Sequence, residues 1–163
     1  MTATNTDASQ NTSEFSAPIS VTRRPDGRIR KGSGAFIGDN VYNTTGLDQT
    51  KTGRATRGST IIFGISNQND GNVSDRFKLA ATGAATAMYG VRYLRGTTEI
   101  TAAVVAGTYK TPSLAPGAKY LITAKVKVKS SATVGSSVTR LMTISSVADP
   151  AKVDAVRFIG KRG

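Results

Sequence analysis

Apolar and polar residues alternate most cleanly over "KYLITAKVKVKS", residues 119–130. Tyr120, Ile122, Ala124, Val126 and Val128 share one side, and Lys119, Thr123, Lys125, Lys127 and Lys129 the other, with Leu121 the only break. A period of two belongs to an extended chain, so the stretch predicts a half-buried strand with a basic outer face. Shorter segments repeat the pattern. "STIIFGISN" puts Ile61, Phe63 and Ile65 on one face, "RFKLAAT" does so with Phe77 and Leu79, and "MYGVRYLRG" with Tyr89, Val91 and Tyr93, Arg92 lying opposite. "PISVTRR", "TEITAAVV", "VTRLMTISSV" and "VDAVRFI" also read as strands, and "RIRKGSGAFIGD" as two brief extended pieces broken by Gly32 and Gly34. No stretch carries the 3.6-residue period of an amphipathic helix, so no helix is expected.

Turn chemistry separates these segments. Pro25-Asp26-Gly27 combines a preset φ with a residue tolerant of positive φ and reads as a turn. Asp70-Gly71 in "QNDGNVSD", "PSLAPGAK", "SSATVGSS" and "ADPAK" read as further connections, and the Gly-punctuated "YNTTGLDQTKTGRATRG" as a long loop. Eight or nine short strands so separated predict an all-β, antiparallel β-sandwich, and their uneven lengths argue against a closed barrel. The chain divides into a polar N-terminal extension (1–17), the sandwich (18–159) and a short basic tail (160–163). The extension is nearly all Thr, Ser, Asn, Gln, Ala and Asp, too polar to offset its own ordering entropy.

The order and spacing of "GDNVYNTTG", "NQNDGNVSD", "SLAPG" and "SVADPAKVDAVR" resemble an immunoglobulin-like β-sandwich module of large bacterial surface and secreted proteins. Its relatives include the cell-adhesion-related bacterial domain and sandwich domains appended to bacterial glycosidases. The likeness runs from about Pro25 to Ile159. It implies an immunoglobulin-like fold, to which this chain adds an extended N-terminal segment as a departure from the family, an extracellular or cell-surface setting, and use as a spacer, stalk or interaction module. It does not imply an activity.

Composition sharpens that expectation. With 38% hydrophobic residues the 163-residue chain can bury one core, though only 6% are aromatic and none is Trp. Twenty-two basic residues oppose ten acidic ones, a net charge of +12 that favours acidic partners such as an anionic polysaccharide or nucleic acid. The absence of Cys and His excludes thiol and histidine acid–base catalysis, disulfides and Cys/His zinc sites. No apolar run reaches the roughly 20 residues of a transmembrane helix, and the N-terminus lacks the basic and apolar regions of a signal peptide.

Catalysis has no foothold: there is no nucleophile elbow, no phosphate loop and no opposed carboxylate pair, so no enzyme, catalytic residue or cofactor is expected. Asn69, Asp70, Asn72 and Asp75, with Asn67 nearby, offer the oxygen donors that calcium takes. Two carboxylates without EF-hand spacing read rather as Asn and Asp closing their own turns, and no metal is expected. The candidate anion-binding residues are Arg23, Arg24, Arg28, Arg30 and Lys31, then Lys119, Lys125, Lys127 and Lys129, with Lys161 and Arg162 at the end. Nucleic acid would call for exposed aromatics among them, which the lysine strand lacks.

Two functions follow as expectations. One is a structural subunit of an extracellular assembly, a homo-oligomer or filament in which Phe15, Ser16, Ala17, Pro18, Ile19 and Ser20 add as a strand to a neighbour's sheet edge. The other is an adhesion module holding an anionic polymer on its basic faces.

Overall fold

A computed structural model describes residues 8–9 and 19–163. The chain runs β1 (Pro25–Lys31), β2 (Thr50–Ala55), β3 (Thr60–Asn69), β4 (Phe77–Ala81), β5 (Tyr89–Arg95), β6 (Thr98–Glu99), α1 (Thr101–Val105), β7 (Tyr109–Lys110), β8 (Lys119–Val128), β9 (Ser137–Ser146) and β10 (Val153–Arg162). The strands form two five-stranded sheets, β1-β3-β8-β5-β6 and β2-β10-β9-β4-β7. Together they make the expected immunoglobulin-like β-sandwich.

Strict alternation is what builds it. In β8 every second residue from Tyr120 to Val128 is buried, and β3 opposes it in register, Ile61 against Val126, Phe63 against Ala124 and Ile65 against Ile122. From the other sheet Leu79, Met142, Ile144, Val156 and Phe158 complete the core. Phe63 stacks on Phe158 at 5.1 Å, with Tyr93 edge-on to Phe158 at 6.2 Å. Burying each such ring contributes roughly 2–3 kcal/mol, so this aromatic trio ties the sheets together across their midline. Gly53 and Gly160 keep the layers close: a Cβ on Gly53 would lie 2.3 Å from Ile61 Cγ2, and one on Gly160 2.7 Å from Val126 Cγ1.

Five local expectations are corrected. The described residues of "PISVTRR", 19–24, lie in no strand, and the first strand starts only at Pro25. Pro25-Asp26-Gly27 is not a turn but the buried start of β1, paired with Asn69, Gln68 and Asn67. Proline is tolerated at a strand's first position, and Gly27 is required by close approach, since its Cβ would sit 2.5 Å from Ile144 Cδ1. The long polar loop contains β2, which pairs in parallel with β10, so that sheet is mixed rather than purely antiparallel. "TKTGRA" hides this because, as an edge strand, it buries only Gly53 and carries no apolar period. "TEITAAVV" forms the two-residue β6 and the one-turn α1, whose Val104 plugs the core beside Ile100. Gly160–Arg162, read as a tail, continues β10 along Gly53–Ala55.

A buried polar network pins the 38–49 loop to both sheets. Asp154, at the start of β10, accepts from the Gly27 N–H (2.6 Å) and the Gln49 amide (2.8 Å) with Oδ2, and from the Asn43 N–H (2.9 Å) with Oδ1. Gln49 also donates to the Gly27 carbonyl at 2.6 Å and accepts from Asn43 Nδ2 at 2.9 Å. Asn43 Oδ1 then accepts from the Thr45 and Leu47 N–H groups. The polar residues of "NVYNTTGLDQ" and "VDAV" are therefore the two halves of one joint.

Candidate functional site

The alternation that fills the core also decides what faces solvent. On the outer side of the first sheet the register sets Lys127 against Thr60, Lys125 against Ile62, Thr123 against Gly64, Leu121 against Ser66 and Lys119 against Gln68. One strand further, Arg30 lies against Gly64 and Arg28 against Ser66. On the far side of β8, Arg92 opposes Lys125. Arg28, Arg30, Lys119, Lys125 and Lys127 thus share one outer face, with Ile62 (45% exposed) and Leu121 (38%) between them.

Pairing on this face is uneven. Arg28 Nη1 reaches Asp39 at 3.0 Å, Arg28 Nε stands 3.7 Å from Asp26 Oδ2, and Arg92 is bound to Glu99. Arg30, Lys119, Lys125 and Lys127 have no carboxylate partner among the described residues. Arg30 is nonetheless held: its guanidinium carbon lies 4.7 Å from the Phe36 ring, and a Cβ on Gly64 would meet its Nε at 3.0 Å.

The face runs down to an end of the sandwich where no acidic side chain lies among the described residues. There Lys31, Arg54 and Ile62 line a shallow groove of about 240 Å³, Lys161 pairs with Arg54, and Lys129 donates to the Thr86 carbonyl at 2.6 Å. Ten acidic residues less Asp7 and Glu14, outside the described residues, leave eight, and none of these lies in the connections 32–36, 56–59, 82–88 or 129–136. Six of them, Asp26, Asp39, Asp70, Asp75, Asp149 and Asp154, sit toward the opposite end. Crowding shows in their protonation. Asp26 is fully buried, and burial, followed by the like charges of Asp70, Asp154 and Asp39, pushes its carboxyl up to about 7 against the opposing pull of Arg28. Burial likewise raises Asp154, although the Asn43, Gln49 and Gly27 donors work against it. Tyr42 is pushed up to about 12 by burial and by its hydrogen bond to Asp70.

The other sequence candidates are dispersed. Arg23 pairs with Asp75 at 3.4 Å, and Arg24 covers the Tyr42 ring at 5.0 Å; both line a groove of about 680 Å³ with Val21, Tyr42, Lys152 and Val153, away from the lysine row. The calcium-like donors close turns. Asn69 donates to the Val73 and Leu114 carbonyls, Asp70 accepts from Gln68 and Tyr42, and Asp75 accepts from Ser146 Oγ at 2.5 Å. Asn72 accepts from the Thr22 N–H and donates to the Ser20 carbonyl, tethering the segment that leads into β1. Among the described residues no group of three or more acidic side chains is arranged to hold a metal ion. Phe15, Ser16, Ala17 and Pro18 lie outside the described residues; Ile19 and Ser20 are in no strand, with Ile19 84% exposed.

Sequence reasoning missed Phe36, Ile62 and Arg54 as parts of the basic surface. Ile62 was legible as the outward residue between Ile61 and Phe63. Phe36 and Arg54 join it only through pairing of distant segments, the bridge between Ile29 and Ile37 and the β2–β10 ladder.

No protein-family model matches the chain, and no curated protein does. Solved structures share its fold at low identity. The secreted serine protease VesC from Vibrio cholerae is 12% identical over 70% of this chain and 22% of its own (TM-score 0.42). PapD-like domain 7 of human CEP192 is 9% identical over 93% and 94% (TM-score 0.45), and the N-terminal domain of PorA 12% over 83% and 96% (TM-score 0.41). The chain therefore spans under a quarter of the VesC chain but nearly all of the other two. These are likenesses of fold alone. Among the described residues no helix is long and apolar enough to cross a membrane.

Proposed function

We propose that this protein is a non-enzymatic immunoglobulin-like module, working at or outside a bacterial cell surface, that holds an anionic polysaccharide on the outer face of the β1-β3-β8-β5-β6 sheet. One observation carries this reading: among the described residues Arg30, Lys119, Lys125 and Lys127 project from that face without carboxylate partners, and the face continues into an end with no acidic side chain. Exposed strand lysines also discourage edge pairing, but β8 lies inside its sheet, between β3 and β5, and has no edge to protect. Nucleic acid fits less well, because Phe36 on this face is engaged by Arg30 and Arg28 rather than open for base stacking.

Binding to an immobilised sulfated dextran tests the reading. Affinity is expected to fall about 100-fold between 50 and 300 mM salt as counterions are released. Lys125→Glu/Lys127→Glu is expected to weaken low-salt binding by at least about tenfold, while Lys78→Glu, on the other sheet, changes it little. Salt-independent binding, or equal losses from both variants, rules the face out.

A second reading rests on the segment before β1. Ile19 and Val21 are 84% and 61% exposed, and this segment arrives at one end of the sandwich while β10 leaves at the other. Two exposed apolar side chains two residues apart suit addition to a neighbour's sheet, giving a head-to-tail assembly. Negative-stain microscopy is expected to show salt-resistant filaments from the full chain and single particles from a chain starting at Val21. Filaments that survive the truncation exclude strand addition.

A further inference from the structure

Within that proposed face, and resting on it, we propose a discrete subsite for one tetrahedral oxyanion, a phosphate or sulfate ester of the polysaccharide, formed by Arg30, Thr123 and Lys125. Arg28 and Arg30 stand on the same side of β1, two residues apart, and both approach the Phe36 ring, yet they differ in their ionic partners. Arg28 is matched by Asp39 and Asp26. Arg30 meets no acidic group. Its Nε is buried without a hydrogen-bond partner, and its stem lies over Gly64, close enough that a Cβ there would meet Arg30 Cγ at 3.1 Å. Phe36 covers the guanidinium at 4.7 Å. A cation fixed between a ring and a glycine has already lost the rotamer freedom that a flexible surface arginine gives up on binding. What stays available is its pair of Nη groups, which have no carboxylate partner among the described residues.

The register supplies the other donors. Arg30, Gly64 and Thr123 form one row across β1, β3 and β8. With strands about 4.8 Å apart, Arg30 and Thr123 stand roughly 10 Å apart at Cα with only the glycine between them. Lys125 is the next outward residue on β8, about 7 Å further along. Its ammonium and the Thr123 hydroxyl have no partner among the described residues. The Arg30 stem crosses over Gly64, which carries its guanidinium toward β8, where the fork, the Lys125 ammonium and the Thr123 hydroxyl can converge on one oxyanion. A carboxylate has two oxygens, both occupied by the fork. A phosphate or sulfate ester offers a third oxygen to Lys125, which is why the site favours the tetrahedral group.

The test compares dextran sulfate with polygalacturonate, a carboxylate polymer, at one ionic strength. Arg30→Lys keeps the charge but removes the planar fork. It is expected to cost about tenfold in dextran sulfate affinity and about threefold in polygalacturonate affinity, because the carboxylate loses the fork but has no third oxygen on Lys125 to lose. Phe36→Leu, which leaves every charge in place, is expected to shift both polymers in the same order by a smaller factor. It serves as the second variant should Arg30→Lys melt early. If the wild type binds dextran sulfate with strong salt dependence and both variants match it, the subsite is wrong and the broader face stands. If the wild type binds neither polymer, both proposals fall. Single-stranded DNA bound more tightly than dextran sulfate, and sensitive to Arg30→Lys, would overturn the polysaccharide assignment in favour of nucleic acid.

Discussion

Asp154→Ala is expected to lower folding stability by about 4 kcal/mol, read as a drop in the urea midpoint with little change in slope. The substitution takes an acceptor from three donors: the buried N–H of Gly27, the half-buried N–H of Asn43, and the buried side-chain amide of Gln49, which keeps its bond to the Gly27 carbonyl. Leaving one neutral donor unsatisfied in the interior costs about 1–3 kcal/mol, and charge-assisted bonds are the stronger ones. Removing a buried carboxylate that burial already disfavours returns part of this, which is why the sum stays below the simple total. Asp154→Asn keeps one of the two acceptor positions and is expected to lose about half as much. The damage should be local first, with protease cleavage appearing between residues 38 and 49 before global unfolding. A wild-type midpoint for Asp154→Ala would mean that the loop is held by something other than this joint.

The second large effect is a pH dependence in a chain without histidine. Asp26 has its carboxyl raised from 3.8 to about 7 in the folded protein. Between those values the folded state holds a proton that the unfolded state has released. Stability from this group is therefore full below about pH 4 and is lost as pH rises through about 7. Asp154, also raised, acts in the same direction. From pH 5 to pH 8 the fold is expected to lose on the order of 2 kcal/mol. No His or Cys titrates in that window to mask the effect. Asp26→Asn, which keeps an oxygen for the Asn40 N–H, should flatten most of this slope and raise stability at pH 8. Thermal melts of both proteins across the range decide it, and a parallel slope in the variant would remove Asp26 as its source.

How much of this was legible in the sequence depended on whether a residue's role was local. The face assignments of Tyr120–Val128, Ile61–Ile65 and Tyr89–Tyr93 follow from a period of two, and all hold in the fold. Pro25-Asp26-Gly27 misled because turn propensity is a weak preference that burial against Ile144 and Val156 overrides. The polar edge strand β2 left no periodic trace, since it is held by its ladder to β10 and the close packing of Gly53 on Ile61 rather than by an apolar face. For the candidate site, the lysine row could be read directly. The distinction between a neutralised Arg28 and an unpaired Arg30 could not, because it depends on Asp39 and Phe36 folding back over β1.

The first and last strands of the sandwich lie in different sheets and run the same way, so the chain arrives at one end and departs from the other. A pull on the two termini would draw β1 and β10 lengthwise past their neighbours. The seven residue pairs of β1 with β3 would then bear the load together, as would the ladders of β10 with β9 and β2, rather than one bond at a time as in a peeled hairpin. Such an arrangement resists tension far better than its thermodynamic stability alone would suggest. Were the proposed face to hold a polymer while either terminus was held, tension would enter through β1 or β10 in this same shearing direction.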